Sequence, residues 1–361
     1  MTEDSGPAAM EYFFSRFFVR YPEMRSMFPH SMQGHTEHVF KALDRIVSDI
    51  DSPDALTPYL EQLGRNHRKF GIRDRHYELF VPVLIDTVRH FCGYYWTDAM
   101  QAAWDAMLGH VASVMRAAAQ RDAELRPPWW IGEIVQHDRR NLDLAVLTIK
   151  PDQPLRYRPG QYVAVQVPRW PRVWRNFSIA NAPRADGLID LHVRAVPGGM
   201  VSGSLVRGVR RGDTVLLGQP RGEMTAPADP ARGLLCIAGG TGLAPIKAII
   251  EEVLSSAKPG GHPKIGLLYG ARTERELYDL PDLQVLESAH PALMVTPVVS
   301  DDPGFAGVKG TLPQVARRYA NCQGKDIFIS GPPAMVREAV SALAGRAAPD
   351  SIRHDPPDAA R

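Results

Sequence analysis

The spacing of apolar residues changes twice along these 361 residues, and that change limits the fold more than any single motif. From about residue 10 to residue 120, apolar side chains recur at steps of three and four and proline is sparse, which predicts helices. Arg126-Pro127-Pro128-Trp129-Trp130 breaks the pattern, because paired prolines do not continue a helix and the tryptophans open an extended stretch. From about 130 to 225 the step is two. Leu142 to Ile149, Gln161 to Val167 and Leu188 to Val196 lie between Gly/Pro turns, a pattern that predicts short antiparallel strands closing into a barrel. Beyond about 230, apolar runs at Leu234 to Ala238, Ile265 to Tyr269, Leu293 to Val299 and Ile327 to Ser330 alternate with helical stretches. That alternation predicts a parallel sheet with helices on both faces. The expectation is a multidomain chain: an all-α domain over 1–125, an antiparallel β-barrel over 126–228 and an α/β parallel-sheet domain over 229–361.

Composition removes several function classes. Lys and Arg number 42 against 40 Asp and Glu, so no strong field points to nucleic acid or an anionic membrane. Cys92, Cys236 and Cys322 are far apart with no CxxC, which excludes a four-cysteine zinc site or iron–sulfur cluster. The longest apolar runs fall far short of the ~20 residues that span a bilayer, and the first residues, MTEDSGPAAM, are acidic where a signal peptide is basic. The expectation is a reduced, cytoplasmic protein with small-molecule ligands and no nucleic-acid, membrane or obligate protein partner.

In the helical part, Thr57-Pro58 reads as a helix start, followed by Leu60, Leu63, His67 and Phe70 on one stripe. A histidine there is more often a core residue bonded to a backbone carbonyl than a ligand. The preceding helix carries Val39, Leu43, Ile46 and Ile50, and one turn back from Val39 lies His35, while His38 falls on the polar face. Two inward histidines on different helices can flank a flat cofactor whose iron takes imidazole. These residues, with Phe28 in Met27-Phe28-Pro29, His67 in Arg65-Asn66-His67-Arg68-Lys69-Phe70, and Tyr77 ten residues on, resemble the globin domain of flavohaemoglobins. The resemblance implies haem b, with His67 as iron ligand, Phe28 wedged against the haem and Tyr77 beside the proximal histidine. The chain departs from the family's pattern in starting at its second helix. Phe14 stands for the distal tyrosine, His35 for the distal glutamine and Ala119 for the proximal glutamate.

In the barrel part, Arg175-Asn176-Phe177-Ser178 follows a strand. Arg175 can fork onto a phosphate, Phe177 can lie against a flavin, and Ser178 can donate to the ring nitrogen that takes hydride. About twenty residues later, Pro197-Gly198-Gly199-Met200-Val201-Ser202 exposes backbone N–H groups at a helix start, which suits phosphate or, equally, a plain hairpin turn. With Gln161 and Tyr162 upstream in Pro159-Gly160-Gln161-Tyr162, the set resembles the FAD domain of the ferredoxin-reductase family, Phe177 replacing the usual tyrosine.

In the last part, Gly239-Gly240-Thr241-Gly242-Leu243-Ala244-Pro245 closes a strand and opens a helix, so that the backbone can approach a pyrophosphate. It resembles the GGTGxxP turn of the same reductases. Ser330-Gly331-Pro332-Pro333-Ala334-Met335 resembles their CGPxxM segment, with Ser330 in place of cysteine. Arg272 or Arg275 can hold the 2′-phosphate of NADPH or can be surface charge, so NADH and NADPH both stay open. The tail Ile352 to Pro357 lacks the aromatic that covers the flavin in relatives.

Nicotinamide gives two electrons as hydride, haem iron takes one at a time, and flavin manages both. The order of domains therefore implies electron flow from NAD(P)H through FAD to haem and bound oxygen, with nitric oxide dioxygenation as the activity the resemblance suggests. Its rival is an NAD(P)H–flavin oxidoreductase whose globin domain is a sensor, an interaction module or a haem-poor remnant.

Overall fold

The computed structural model describes residues 6–32, 34–227, 232–256, 263–319 and 322–355, in two compact units, Met1–Trp129 and Trp130–Arg361. Pro356 and Pro357 of the tail lie outside the described residues.

The first unit is all helical: α1 (Gly6–Arg20), α2 (His35–Ser48), α3 (Pro53–His67), α4 (Asp74–Cys92) and α5 (Asp98–Leu125), with short 3-10 turns between several of them. Phe13, Phe14 and Phe17 of α1 pack against Val83, Leu84 and Leu108, and Leu56 and Leu60 of α3 pack against Val111 and Met115 of α5. The approach of α3 to α5 is close enough to require glycine. A Cβ on Gly64 would lie 2.2 Å from the Met115 carbonyl oxygen. The helix that carries His67 begins a turn earlier than Thr57-Pro58. Ser52 is its N-cap residue and Pro53 its first position, Asp54 faces the positive end, and Pro58 lies inside the helix. The earlier start adds Leu56 to the buried stripe and leaves Leu63 and His67 at its margin.

The second unit opens with a barrel: β1 (Trp130–Arg139), β2 (Leu144–Pro151), β3 (Tyr162–Gln166), β4 (Arg175–Ser178), β5 (Ile189–Arg194), α6 (Met200–Arg207) and β6 (Thr214–Leu217). The strand order is β4-β3-β6-β1-β2-β5, antiparallel throughout, and an Ile179–Leu191 bridge nearly closes it. The alternating strands send Ile134, Leu147, Ile149, Val163, Val165, Leu191 and Val193 inward, and Val201, Leu205 and Val206 of α6 join the same core. Strand β2 starts at Leu144, because Leu142 is exposed in a turn where the Asn141 side chain accepts the Asp143 N–H.

The α/β part holds β7 (Leu234–Gly239), α7 (Leu243–Ser256), β8 (Ile265–Ala271), α8 (Leu280–Ala289), β9 (Leu293–Val299), β10 (Val308–Lys309), α9 (Leu312–Tyr319), β11 (Asp326–Ser330), α10 (Pro333–Leu343) and β12 (Ile352–Arg353). The sheet is parallel, in the order β10-β9-β8-β7-β11-β12. Residues of α7 and α8 share one core with the sheet, and those of α9 and α10 another, so both faces are covered. The chain runs outward from β7 through β8 and β9, then crosses back to place β11 on the other side of β7. The switch point between β7 and β11 is where ligands of open α/β sheets bind, at the carboxyl ends of the strands.

Candidate functional site

In the helical unit, His35 and His67 gather an aromatic group. His35, the first residue of α2, lies 5.7 Å from Phe14 and 5.4 Å from Phe28 between ring centres, and Phe14 and Phe28 meet edge to face at 5.5 Å. His67 ends α3, with Tyr77 edge-on at 6.3 Å. Burial pushes the His35 imidazole down to about 4, helped by His38. Burial also pushes His67 to about 4, helped by Lys69 and by His35 itself, which is close enough for its charge to matter there. Both rings are therefore neutral at neutral pH, the form that binds a metal. His67 Nδ1 is buried with no hydrogen-bond partner among the described residues. Burial and Asp74 push Tyr77 up to about 12, so its hydroxyl keeps its proton. Ala119 is half-buried on α5 and offers no acceptor.

One carboxylate in this unit escapes a reading of the sequence. Asp122, one turn beyond Ala118, is buried, and its oxygens pair with Arg68 and Arg126. Arg68 directly follows His67 and also donates to the Arg126 carbonyl at 2.8 Å. The end of α3 is thereby tied to the end of α5. The signal missing from the sequence is that Arg68 and Asp122, 54 positions apart, meet only because Gly64 lets the two helices touch.

At the barrel, Ser178 on β4 stands directly across from Tyr162 on β3, with Phe177 opposite Val163 and Arg175 opposite Val165. Arg175 is exposed and donates to the Trp174 carbonyl at 2.8 Å. Phe177 packs against the barrel core. Gln161 is engaged in its own turn, accepting from the Arg158 N–H at 2.9 Å and donating to the Gly222 carbonyl at 3.3 Å. Gly198 has φ +71° with open space where a Cβ would stand, and Gly199 caps α6 without a side-chain hydrogen bond. Ser202 turns its hydroxyl back to accept from the Val196 N–H at 3.4 Å, and the Val201 side chain is in the barrel core. What Val201 and Ser202 offer a ligand is therefore the backbone of the first helical turn. Asp355, in the tail, also reaches this region. A Cβ on Gly222 would lie 3.2 Å from the Tyr162 ring and 3.3 Å from the Asp355 carboxylate.

At the switch point, β7 runs into a single 3-10 turn, Gly240–Gly242, before α7. Gly240 takes φ +56°. A Cβ on Gly242 would lie 2.4 Å from the Ser330 carbonyl oxygen, and one on Gly239 would lie 2.9 Å from the Met335 methyl carbon. Gly331, at φ +154°, passes beside Gly239 from the neighbouring strand. Thr241 is half-buried in the turn, Pro245 is buried in the first turn of α7, and Pro332 is the N-cap residue of α10. Gly239, Gly242 and Gly331 therefore let β7, α7 and the segment after β11 pack closely, and of the four glycines Gly240 alone has open space where a side chain would stand. Arg272, at the end of β8, is committed to Glu276.

Comparison with known proteins agrees domain by domain. The globin family model matches residues 11–115, the oxidoreductase FAD-binding domain 132–225 and the oxidoreductase NAD-binding domain 236–341. The reductase subunit of an aromatic O-demethylase from an Amycolatopsis species is 32% identical over 256 residues, 65% of this chain and 74% of that one. A flavohemoprotein from Bordetella parapertussis is 27% identical over 271 residues, 70% of this chain and 67% of that one. The flavohemoglobin structure from Malassezia yamatoensis superposes with a TM-score of 0.76 at 16% identity, over 97% of this chain and 94% of that one. The chain belongs to the flavohaemoglobin family. Its parts are a globin domain, an FAD-binding barrel and an NAD-binding sheet, and it is an oxidoreductase by family. It spans 56 to 57% of the length of two monooxygenase reductase components that it also matches. No helix among the described residues is long and apolar enough to cross a membrane.

Proposed function

We propose that this flavohaemoglobin-family chain is a cytoplasmic flavohaemoprotein that takes electrons from NAD(P)H through FAD to haem, with oxygen and nitric oxide as its small-molecule substrates. The observation that carries the reading is the pairing of His35 and His67, both neutral, with Phe14, Phe28 and Tyr77 around them, on the same chain as the two nucleotide sites. The donor set fits haem. Imidazole is an iron ligand, aromatic faces suit a flat macrocycle, and His67 has a buried ring nitrogen without a partner.

His67 would hold the iron, Phe28 would pack on the macrocycle, and Tyr77 would supply a hydroxyl on the His67 side. Haem, when bound, supplies one-electron chemistry and a site for a diatomic gas. Phe14 is buried and donates no hydrogen bond, so a hydrogen bond to a bound gas would have to come from His35 beside it. In the barrel, Arg175 and the first turn of α6 would hold the FAD phosphates, while Ser178 and Tyr162, paired across β3 and β4, would orient the ring. FAD, when bound, converts a two-electron donor into single-electron steps. The turn Gly240 to Gly242, with Gly331 and Pro332 at the end of the neighbouring strand, would hold the pyrophosphate and nicotinamide against the sheet end.

Nitric oxide dioxygenation is the activity we assign, at a rate below that of relatives that keep the distal tyrosine and proximal glutamate. A carboxylate acceptor makes an imidazole ligand more basic, and no such group stands at Ala119. The second reading, an NAD(P)H–flavin oxidoreductase with a globin module, draws on the same two features, Phe14 and Ala119. The absorption spectrum decides between them. The purified chain should show an intense Soret band with flavin absorbance beneath it, and anaerobic NADH or NADPH should bleach the flavin and shift the Soret band. Flavin absorbance alone, even after haem is supplied, overturns the proposal in favour of the second reading.

A further inference from the structure

Asp279 is the N-cap residue of α8 and is fully buried, yet its carboxylate makes no hydrogen bond to the helix it starts. An aspartate at that position ordinarily accepts from the N–H groups of its own first turn. Here Oδ2 accepts instead from Lys247 Nζ of α7, at 2.8 Å. Oδ1 has no hydrogen-bond partner among the described residues and faces the Arg140 guanidinium, just past β1, at 3.8 Å. The neighbours of Asp279 reach the barrel too, Tyr278 through His192 of β5 and Asp282 through Arg140. One turn along α7 from Lys247, Glu251 accepts the Ala182 N–H at 3.0 Å. Two charged side chains on one face of α7 are thus committed, one to Asp279 and one to the barrel.

A buried ion pair is a poor source of stability, because desolvation offsets most of its attraction, but every arrangement that separates the two charges is penalised. Apolar packing is non-directional and does not fix a helix in this way. What needs fixing is α7. It starts directly after the turn Gly240 to Gly242, so its place on the barrel sets where a nicotinamide held by that turn lies against a flavin held by β3 and β4. In the transfer, a hydride leaves C4 of the nicotinamide with both electrons of its C–H bond and adds to N5 of the flavin, so the nicotinamide is oxidised and the flavin reduced. An error of about 1 Å in that placement costs on the order of a hundredfold in rate. We propose that Asp279, acting through Lys247 and Arg140, is a positioning residue for hydride transfer from nicotinamide to flavin. The inference rests on the two nucleotide sites proposed above.

Anaerobic stopped-flow mixing of the FAD-loaded chain with NADH and with NADPH gives the limiting rate of flavin reduction and the nucleotide Kd separately, and thermal melts give the stability. Asp279→Asn keeps the shape of the side chain and removes its charge. It should lower the limiting rate by about tenfold or more, with FAD still stoichiometric and Kd within about twofold of the parent's. A full primary isotope effect from nucleotide deuterated at C4 should show that the hydride step itself has slowed. Lys247→Met should act in the same way. The double variant Lys247→Met/Asp279→Asn leaves neither partner charged, so its melting temperature should return toward the parent's while its limiting rate stays low. Arg140→Gln, at the partly exposed rim of the cluster, should slow reduction by a smaller factor and decides the matter if the buried variants do not hold FAD. Limiting rates equal to the parent's in every variant that holds FAD, or a rate that recovers together with the melting temperature in the double variant, overturn the inference and leave the nucleotide sites standing. A FAD-loaded parent that neither nucleotide reduces overturns the nicotinamide site itself and the inference with it.

Discussion

In the proposed reading, His67 is the residue on which the helical unit's chemistry turns. A core histidine of the ordinary kind would give its ring nitrogens to backbone carbonyls, and Nδ1 here has no partner among the described residues. The helix stripe was enough to single out His67, and the neighbouring helix to single out His35. Asp122 could not be found that way, since its burial depends on Arg68 from a distant helix. His67→Ala should abolish stoichiometric haem, read from the Soret band after reconstitution, and leave flavin content unchanged, because Arg175, Phe177 and Ser178 belong to the other unit. His35→Ala should retain haem and shift the band. The opposite pattern, with haem kept by His67→Ala and lost by His35→Ala, refutes the assignment of the proximal ligand.

Among the elements, period and punctuation in the sequence marked out the helical, barrel and parallel-sheet regions and the strands β2, β3, β5, β7, β8, β9 and β11, because each buries one face along its length, whereas α1, α4, α5 and β6 were not singled out. Their ends were less legible. Ser52-Pro53 and Thr57-Pro58 are the same start signal, and the burial of Leu56 decides between them. The edge strands β10 and β12 are two residues each, too short to carry a period. The turn between β7 and α7 shows what a motif conceals, since its glycines answer to different constraints. Gly240 needs a positive φ with open space around it, whereas Gly242 needs room against the Ser330 carbonyl of β11. Gly240→Ala should therefore cost only about 1 to 2 kcal/mol of stability, from the left-handed backbone, and should raise the KM for the nicotinamide. Gly242→Ala pushes strand against helix and should lower the melting temperature further, by an overpacking cost of about 1 to 3 kcal/mol, and should weaken nucleotide binding as well. Thermal melts of the nucleotide-free protein beside KM measurements separate the two effects. Equal melting temperatures for both variants, with KM unchanged, would refute this reading of the turn.

At the scale of the whole molecule, hydride transfer requires the barrel and the parallel sheet to be held in one arrangement, since a small misplacement of donor and acceptor is costly. Within the second unit the joint combines apolar packing, with Leu144 and Met224 in the core of the sheet, and polar pairs. His192 of β5 shares a 2.7 Å hydrogen bond with the Tyr278 hydroxyl, Arg140 reaches Asp282 at 2.8 Å, and the Ala182 N–H donates to Glu251 of α7 at 3.0 Å. None of these pairs is visible in sequence, because each joins residues brought together only by the fold. His192 gives the joint a pH dependence. Burial, reinforced by Lys247 and Arg140 and opposed by Asp190 and Asp282, pushes its imidazole from 6.5 down to about 3. The folded joint therefore holds His192 neutral, while the unfolded chain protonates it below pH 6.5. The unfolded state binds more protons in that window, so the stability is complete above the unfolded value and declines as pH falls toward the folded one. By pH 4.5 the loss should be about 3 kcal/mol, taken as order of magnitude. Melting of the second unit, followed by the rise in fluorescence as FAD is released, should fall more steeply between pH 7 and 4.5 in the parent than in His192→Gln. The glutamine can keep a hydrogen bond to Tyr278 but has no proton to gain. Parallel slopes for the two proteins would show that the acid sensitivity of this joint comes from groups other than His192.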